Sequence, residues 1–267
     1  MTTAAYRDSV LPAGIGAAAD RERLGRHRAT YRPVTPNPRR LIIEAAVTAV
    51  GVVAAVAGFV GGAVIVGILG ATVAVMCGLR VLADLGWLGF VGVRNKGSRL
   101  DLYDNGLVAS YRGQVRVVRY DSTTVRRKIV RLVDNPAPEQ ISYTYTIVDT
   151  TGTPIVLRGG IERPHEWGPA IERGIVDTQL PRARTVIEAD GRVDFESFWL
   201  TATEIGAGRE SVPWSEVAEI AVVGGWLSVR VAGRSQPLES LPVSLVPNYA
   251  VFRALTEWLR VASEIRQ

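Results

Sequence analysis

The sequence predicts a membrane-anchored α+β protein: a two-helix transmembrane hairpin followed by two strand-rich modules, each closed by a C-terminal helix. Three observations predict it. Residues 45–79 run for thirty-five positions without a charge. After Gly97 the pattern changes to short alternating segments separated by turn signals. That order, strands and then one long helix, occurs twice.

Residues 1–40 come first, with Pro12, Pro33, Pro36 and Pro38 around the arginine-rich segment "DRERLGRHRATYRP". They read as a basic cytoplasmic leader with a short helix near 15–29, drawn to anionic lipid by its arginines. Gly14-x-Gly16-x-x-Ala19 has the spacing of a dinucleotide fingerprint. No strand precedes it and no βαβ unit follows, so it reads as chance.

The apolar run comes next, in a hairpin and interfacial region at 41–93. A membrane core takes about 20 helical residues, and thirty-five would make a helix of roughly 52 Å, too long for one ~30 Å crossing. Gly61-Gly62 divides the run into spans near 41–60 and 63–83. Arg39 and Arg40 precede it; Arg80, Arg94, Lys96 and Arg99 follow. Arginine-rich flanks kept on the cytoplasmic side require an even number of passes. Gly70, Ala74 and Gly78 form a small-residue face on the second span, with Ala54 and Gly58 on the first, so the two helices can pack closely. Arginines at the inner ends are within reach of Glu44, Arg80 is set to pair with Asp84 at i, i+4, and Trp87 and Phe90 read as interfacial aromatics. A signal peptide would start near Met1 with a shorter apolar centre. A buried soluble hairpin would not need thirty-five uncharged residues.

The first strand-rich module is placed at 98–181. "RLDLYDNGLVASYRG" is a hairpin turning at Asp104-Asn105-Gly106, and "ISYTYTIVDTTGTPIVLRG" another at Thr151-Gly152. Pro164 opens a helix whose Trp167, Ile171 and Ile175 share one face. The second module, 185–267, repeats the order and ends in a helix with the stripe Val251, Leu255, Trp258, Ala262 and Ile265, widened by Phe252 and Leu259. Tyr120 then matches Trp214, and Pro164 matches Pro247.

Antiparallel strands closed by one helix, with "PWSEVAEIAVVGGWLSVRV" in the second copy and "RYDSTTVRRKIV" in the first, resemble bacterial pleckstrin-homology-like (PH-like) domains. The whole chain is similar to uncharacterised bacterial membrane proteins with tandem PH-like domains. The resemblance implies two PH-like modules over 98–265. Lipid-binding PH domains meet headgroups through basic residues in the first hairpin loop. Here those loops, "YDNG" and "TEIG", carry no Lys or Arg, so no binding residue is carried over.

The net charge is +5, unevenly spread. Residues 1–44 hold eight basic and four acidic residues, 80–135 eleven and five, and 136–267 twelve and seventeen. Basic flanks around an apolar run fit a membrane protein rather than a nucleic-acid-binding one. Cys77 is the sole cysteine, which excludes an intrachain disulfide and a cysteine zinc site. His27 and His165 are the only histidines and read as surface residues. Asp190 and Asp194 read as a solvated loop, and no phosphate-cradling glycine loop is present. The expectation is therefore no enzyme, no cofactor and no metal.

Arg112, Arg116, Arg119, Arg126, Arg127, Lys128 and Arg131 form a basic cluster that either contacts anionic phospholipid, at about 1 kcal/mol each, or is a solvated sheet face. Trp199, Trp214 and Trp226 make the acidic second module the better candidate for an unknown protein partner, or are core. The function expected is a non-catalytic scaffold or adaptor, integral to the inner membrane with both termini cytoplasmic. The alternative is an accessory subunit of a transport or envelope-assembly complex, docking through its hairpin.

Overall fold

The computed structural model describes residues 13–34, 38–95, 98–111, 114–131, 141–158 and 160–265. The protein is α+β and divides into two compact units, Pro33–Gly97 and the combination of Met1–Arg32 with Ser98–Gln267. In chain order the described elements begin with helix α1 (Ala13–Arg21) and strand β1 (His27–Tyr31). The helical unit follows, α2 (Pro38–Val60) and α3 (Val64–Asn95). The chain then continues through β2 (Arg99–Tyr103), β3 (Gly106–Tyr111), β4 (Gln114–Arg119), β5 (Val125–Arg131), β6 (Ile141–Val148) and β7 (Pro154–Leu157) to helix α4 (Pro164–Glu188). Strands β8 (Val193–Phe195), β9 (Phe198–Leu200), β10 (Glu204–Ala207), β11 (Glu210–Pro213), β12 (Val217–Val223), β13 (Trp226–Val231) and β14 (Glu239–Pro242) lead to helix α5 (Tyr249–Ile265).

The helical unit contains two helices long and apolar enough to cross a membrane, over Ile42–Val60 and Val64–Ala83. The chain reverses at Gly61-Gly62, where Gly62 takes φ +77°, a conformation open to glycine and strained for other residues. Helix α3 continues unbroken past its apolar span to Asn95.

All sheets in the larger unit are antiparallel. Their strand orders are β1-β2-β3-β4, β5-β6-β7, β11-β10-β9-β8 and β12-β13-β14. Each four-stranded and three-stranded pair is followed by one long helix. The two halves share local geometry as well as order. The Tyr120 and Trp214 amides each donate to a carbonyl in the turn of a preceding hairpin, Asn105 (2.9 Å) and Thr203 (3.1 Å). Arg163 and Asn248, the residues directly before α4 and α5, both take positive φ, 53° and 49°. The four sheets are open, with no closed barrel among the described residues. Leu100, Leu107, Trp167 and Ile171 from the first half join Phe198, Leu200, Phe252 and Leu255 from the second in one buried cluster. The halves are thus built around a common core.

Three expectations change. Much of the leader is folded: β1 pairs with β2, Tyr31 opposite Leu100, and α1 puts Ile15 and Ala19 against Tyr103 and Val108. The boundary placed between 181 and 185 falls inside α4, because Pro181 removes one amide donor without stopping the helix. The second set of strands therefore begins at Val193. In α5 the core face is Val251, Phe252, Leu255 and Leu259, while Ile265 lies beyond the core, exposed.

Candidate functional site

Strands β1 and β2 carry the chain into and out of the helical unit, and their alternation sorts side chains onto two faces. Tyr31, Leu100 and Leu102 face the common core. The opposite face holds Tyr103 and Val108 beneath α1, and beside them a polar group. Asp101 is fully buried there. Arg99 donates to both its oxygens, from Nε at 2.7 Å and Nη2 at 2.9 Å. The Thr30 hydroxyl also donates to Asp101. His27 Nε2 lies 3.0 Å from Thr30 Oγ1 and 3.2 Å from Asp101 Oδ1, and the ring meets Tyr103 edge-on. His27 is thus a half-buried residue whose side chain is largely covered rather than a surface one, and its Nδ1 has no hydrogen-bond partner among the described residues. A carboxylate saturated by a guanidinium fork and a hydroxyl is poorly placed to take a proton from a substrate. The group fixes the pairing of β1 on β2.

The basic cluster is largely committed to internal partners. Arg116 reaches the buried Asp149 at 2.9 Å. Burial alone would raise the Asp149 pKa, but bonds from Thr151, Arg116 and the Thr153 amide outweigh it and hold the carboxyl below its ordinary range. Arg119 bonds Asp121 at 2.7 Å and the Glu22 carbonyl at 2.9 Å. The hydrogen bond from Arg119 is the main reason the Asp121 carboxyl is held below its ordinary pKa. Arg126 donates to the Leu245 carbonyl at 2.8 Å and pairs with Glu196. Arg127 pairs with Glu172 at 2.8 Å and lies over the Tyr249 ring. Lys128 is exposed. Arg131 ends β5; its side chain and Arg112 lie outside the described residues, as do the side chains of Asp84, Trp87 and Phe90. Asp121 is two residues from Arg119, but Asp149, Glu196 and Glu172, which neutralise Arg116, Arg126 and Arg127, lie tens of residues away in sequence, so the strand pattern gave no sign of them.

On the helical unit, the small residues of α3 face α2. A Cβ on Gly70 would lie 2.5 Å from the Ala55 nitrogen, and one on Gly51 would lie 2.9 Å from the Ala74 nitrogen. Gly58 abuts Gly67 as closely, at 2.3 Å, whereas a Cβ on Gly78 would meet only the Thr48 methyl, at 3.6 Å. Backbones approach here because nothing larger intervenes. Arg80 lies 3.9 Å from Glu44 across the pair.

A junction that the sequence did not point to joins the two halves. Asn248 Oδ1 accepts from the Val125 amide (2.7 Å), and its Nδ2 donates to Thr123 O (3.1 Å) and Gln179 Oε1 (2.8 Å). Its own amide donates to Val125 O (2.8 Å). Gln179 Nε2 completes the group by donating to the carbonyls of Tyr120 and Thr123. A cleft of about 310 Å³ opens beside it, with Asp121, Ser122, Thr123, Thr124, Gln179 and Arg182 on its walls. Asp121, Thr123, Gln179 and Asn248 already spend their polar groups on internal bonds, so the cleft is a structural seam. Among the described residues no cluster of three or more His, Cys, Asp or Glu could hold a metal.

Of the three tryptophans singled out, Trp214 is core. Trp199 lies flat on Gly206, where a Cβ would come within 2.1 Å of the indole, and Arg192 stacks on it. Trp226 is exposed.

The chain is thus an α+β protein in which a pair of helices apolar enough to cross a membrane is inserted between the first two strands of its first sheet. It belongs to a family of unknown function, DUF6585, whose model matches residues 1–264. No curated protein and no solved structure matches it.

Proposed function

We propose that this protein is a non-catalytic, membrane-tethered scaffold or adaptor that presents two PH-like modules at the cytoplasmic face of the membrane. One observation carries the reading. Strands β1 and β2 are neighbours in one sheet, yet the connection between them runs through two helices of membrane-spanning length. A connection that leaves a sheet and returns to its adjacent strand must cross a bilayer an even number of times. The arginines on both flanks favour the cytoplasmic side for both ends. The repeated order of a four-stranded sheet, a three-stranded sheet and a helix supports reading the halves as PH-like modules. An adaptor role is preferred to headgroup binding because Arg116, Arg119, Arg126 and Arg127 are each held by internal acids or carbonyls.

Replacing residues 33–97 with a short Asn-Gly loop tests this. The shortened chain is expected in the soluble fraction with its β1–β2 pairing intact, while the full chain resists extraction by alkaline carbonate. Release of the full chain by carbonate would refute the tether.

A further inference from the structure

We infer that the tip of the β12–β13 hairpin is a wedge that enters the interfacial zone of a lipid bilayer. The tip sequence is "VVGGW". Gly224 and Gly225 both take positive φ (59° and 85°), which makes a tight two-residue turn and sets Val223 directly opposite Trp226. Val223 is 77 % exposed and Trp226 53 %, and Val222 is exposed beside them. A folded chain with a common core available leaves these large apolar groups outside it.

The apolar surface continues away from the tip. The Val243 amide donates to the Gly225 carbonyl at 2.9 Å, which brings the exposed Leu245 to the same end of the sheet. Arg126 binds the Leu245 carbonyl, and the strand that carries it places Lys128, Ile129 and Val130 in the open. No charge occurs from Ala221 to Ser228 or from Leu241 to Asn248. Glu219, the acid of β12, lies four residues from Val223 and faces Arg230 at 3.9 Å.

This chemistry fits lipid better than a protein. A convex two-residue turn offers no pocket and no free side-chain acceptor by which to specify a partner. Tryptophan is at home at the membrane–water boundary, where its ring is buried and its N–H stays wet. The exposed Lys128 complements anionic headgroups. The inference rests on the tether reading, which supplies the bilayer.

The full chain carrying Cys77→Ser and Val223→Cys, labelled with an environment-sensitive dye, is placed in phosphatidylethanolamine–phosphatidylglycerol nanodiscs at one copy per disc. Arg209→Cys, in the turn after β10, serves as the exposed reference. The dye at 223 is expected to be quenched several-fold less by aqueous iodide than at 209, and to be quenched by spin-labelled lipid. Trp226→Ser, outside the core, is expected to weaken both effects. Equal iodide quenching at 223 and 209 in discs that retain the protein overturns the wedge and leaves the tether standing. Failure of the chain to associate with discs overturns both. Protection that is absent at one copy per disc and develops only when several copies share a larger disc assigns the tip to a second copy and also overturns the wedge.

Discussion

Replacing Asn248 with alanine should destabilise the larger unit far more than its single side chain suggests. Its Oδ1 is the acceptor for the Val125 amide at 2.7 Å, and Val125 is buried. Removing that acceptor leaves a buried donor unpaired, at about 1–3 kcal/mol. The lost bond to Gln179 adds about 1 kcal/mol. Thr123 O keeps its bond from Gln179 Nε2 at 2.9 Å and adds little. Asn248 also sits at φ 49°, a left-handed conformation that alanine tolerates less well than asparagine, at about 1 kcal/mol. The total is about 3–5 kcal/mol, set against the roughly 5–15 kcal/mol that holds a domain folded. Asn248→Gly separates the contributions: it accepts the backbone angle but not the bonds, and should cost about 1 kcal/mol less than alanine. Urea unfolding of the full chain in nanodiscs, followed by tryptophan emission, measures both. A loss for Asn248→Ala below about 0.5 kcal/mol, the scale of an ordinary surface change, would refute the claim that this residue joins the halves.

Other expectations follow from specific contacts. Gly206→Ala places a Cβ 2.1 Å from the Trp199 ring, so the indole must lift, losing its bond to Gly208 O and its Arg192 stack. The cost should be about 1–3 kcal/mol, with a changed emission spectrum as well as a lower urea midpoint. Gly70→Leu cannot be accommodated 2.5 Å from the α2 backbone. It should separate the two helices, read as loss of cross-linking between Cys77 and a cysteine introduced at Thr48 of α2, while association with membranes persists. Asp149 has a lowered native pKa, so its contribution is present above the ordinary carboxylate value of 3.8 and is lost as pH falls through that value toward the native one. Asp149→Asn should flatten the acid limb of stability against pH, measured by urea midpoints across that range.

What could be read from the sequence was local. The apolar run, its Gly61-Gly62 break and the turns at Asp104-Asn105 and Thr151-Gly152 each depend on a few neighbouring residues, and each is where the pattern put it. Strand β1 was missed because "HRATY" holds two basic side chains in five positions and shows no alternation. Its partner lies beyond the helical pair, so no short-range signal connects them. The partners of the basic cluster were hidden for the same reason. Strand periodicity states that Arg116 and Arg127 lie on a surface, but Asp149 and Glu172, which neutralise them, come from β6–β7 and α4. His27 looked like a surface residue of a leader, and its side chain is covered because that leader supplies an edge strand. Asn248 carried one usable sign, an asparagine directly before a helix, but nothing to indicate that its amide would span two halves.

Inserting the helical pair between β1 and β2, rather than appending it at an end, has an energetic consequence. The connection between these adjacent strands runs over Pro33–Gly97, a span that would be costly to close as a random coil. Helices α2 and α3 take up 23 and 32 of its residues. Because loop-closure entropy grows with the logarithm of flexible length, replacing sixty-odd flexible residues with about ten lowers the cost of pairing β1 with β2 by about 2 kcal/mol. Formation of the helical pair therefore favours the docking of β1. Docking of β1 in turn completes the face on which the buried Asp101 meets Arg99, Thr30 and His27. A buried carboxylate with its partners absent is costly, so the first sheet is expected to be least stable where the helical pair has not formed. Thus the insertion point makes the order of the first sheet depend on the helical pair.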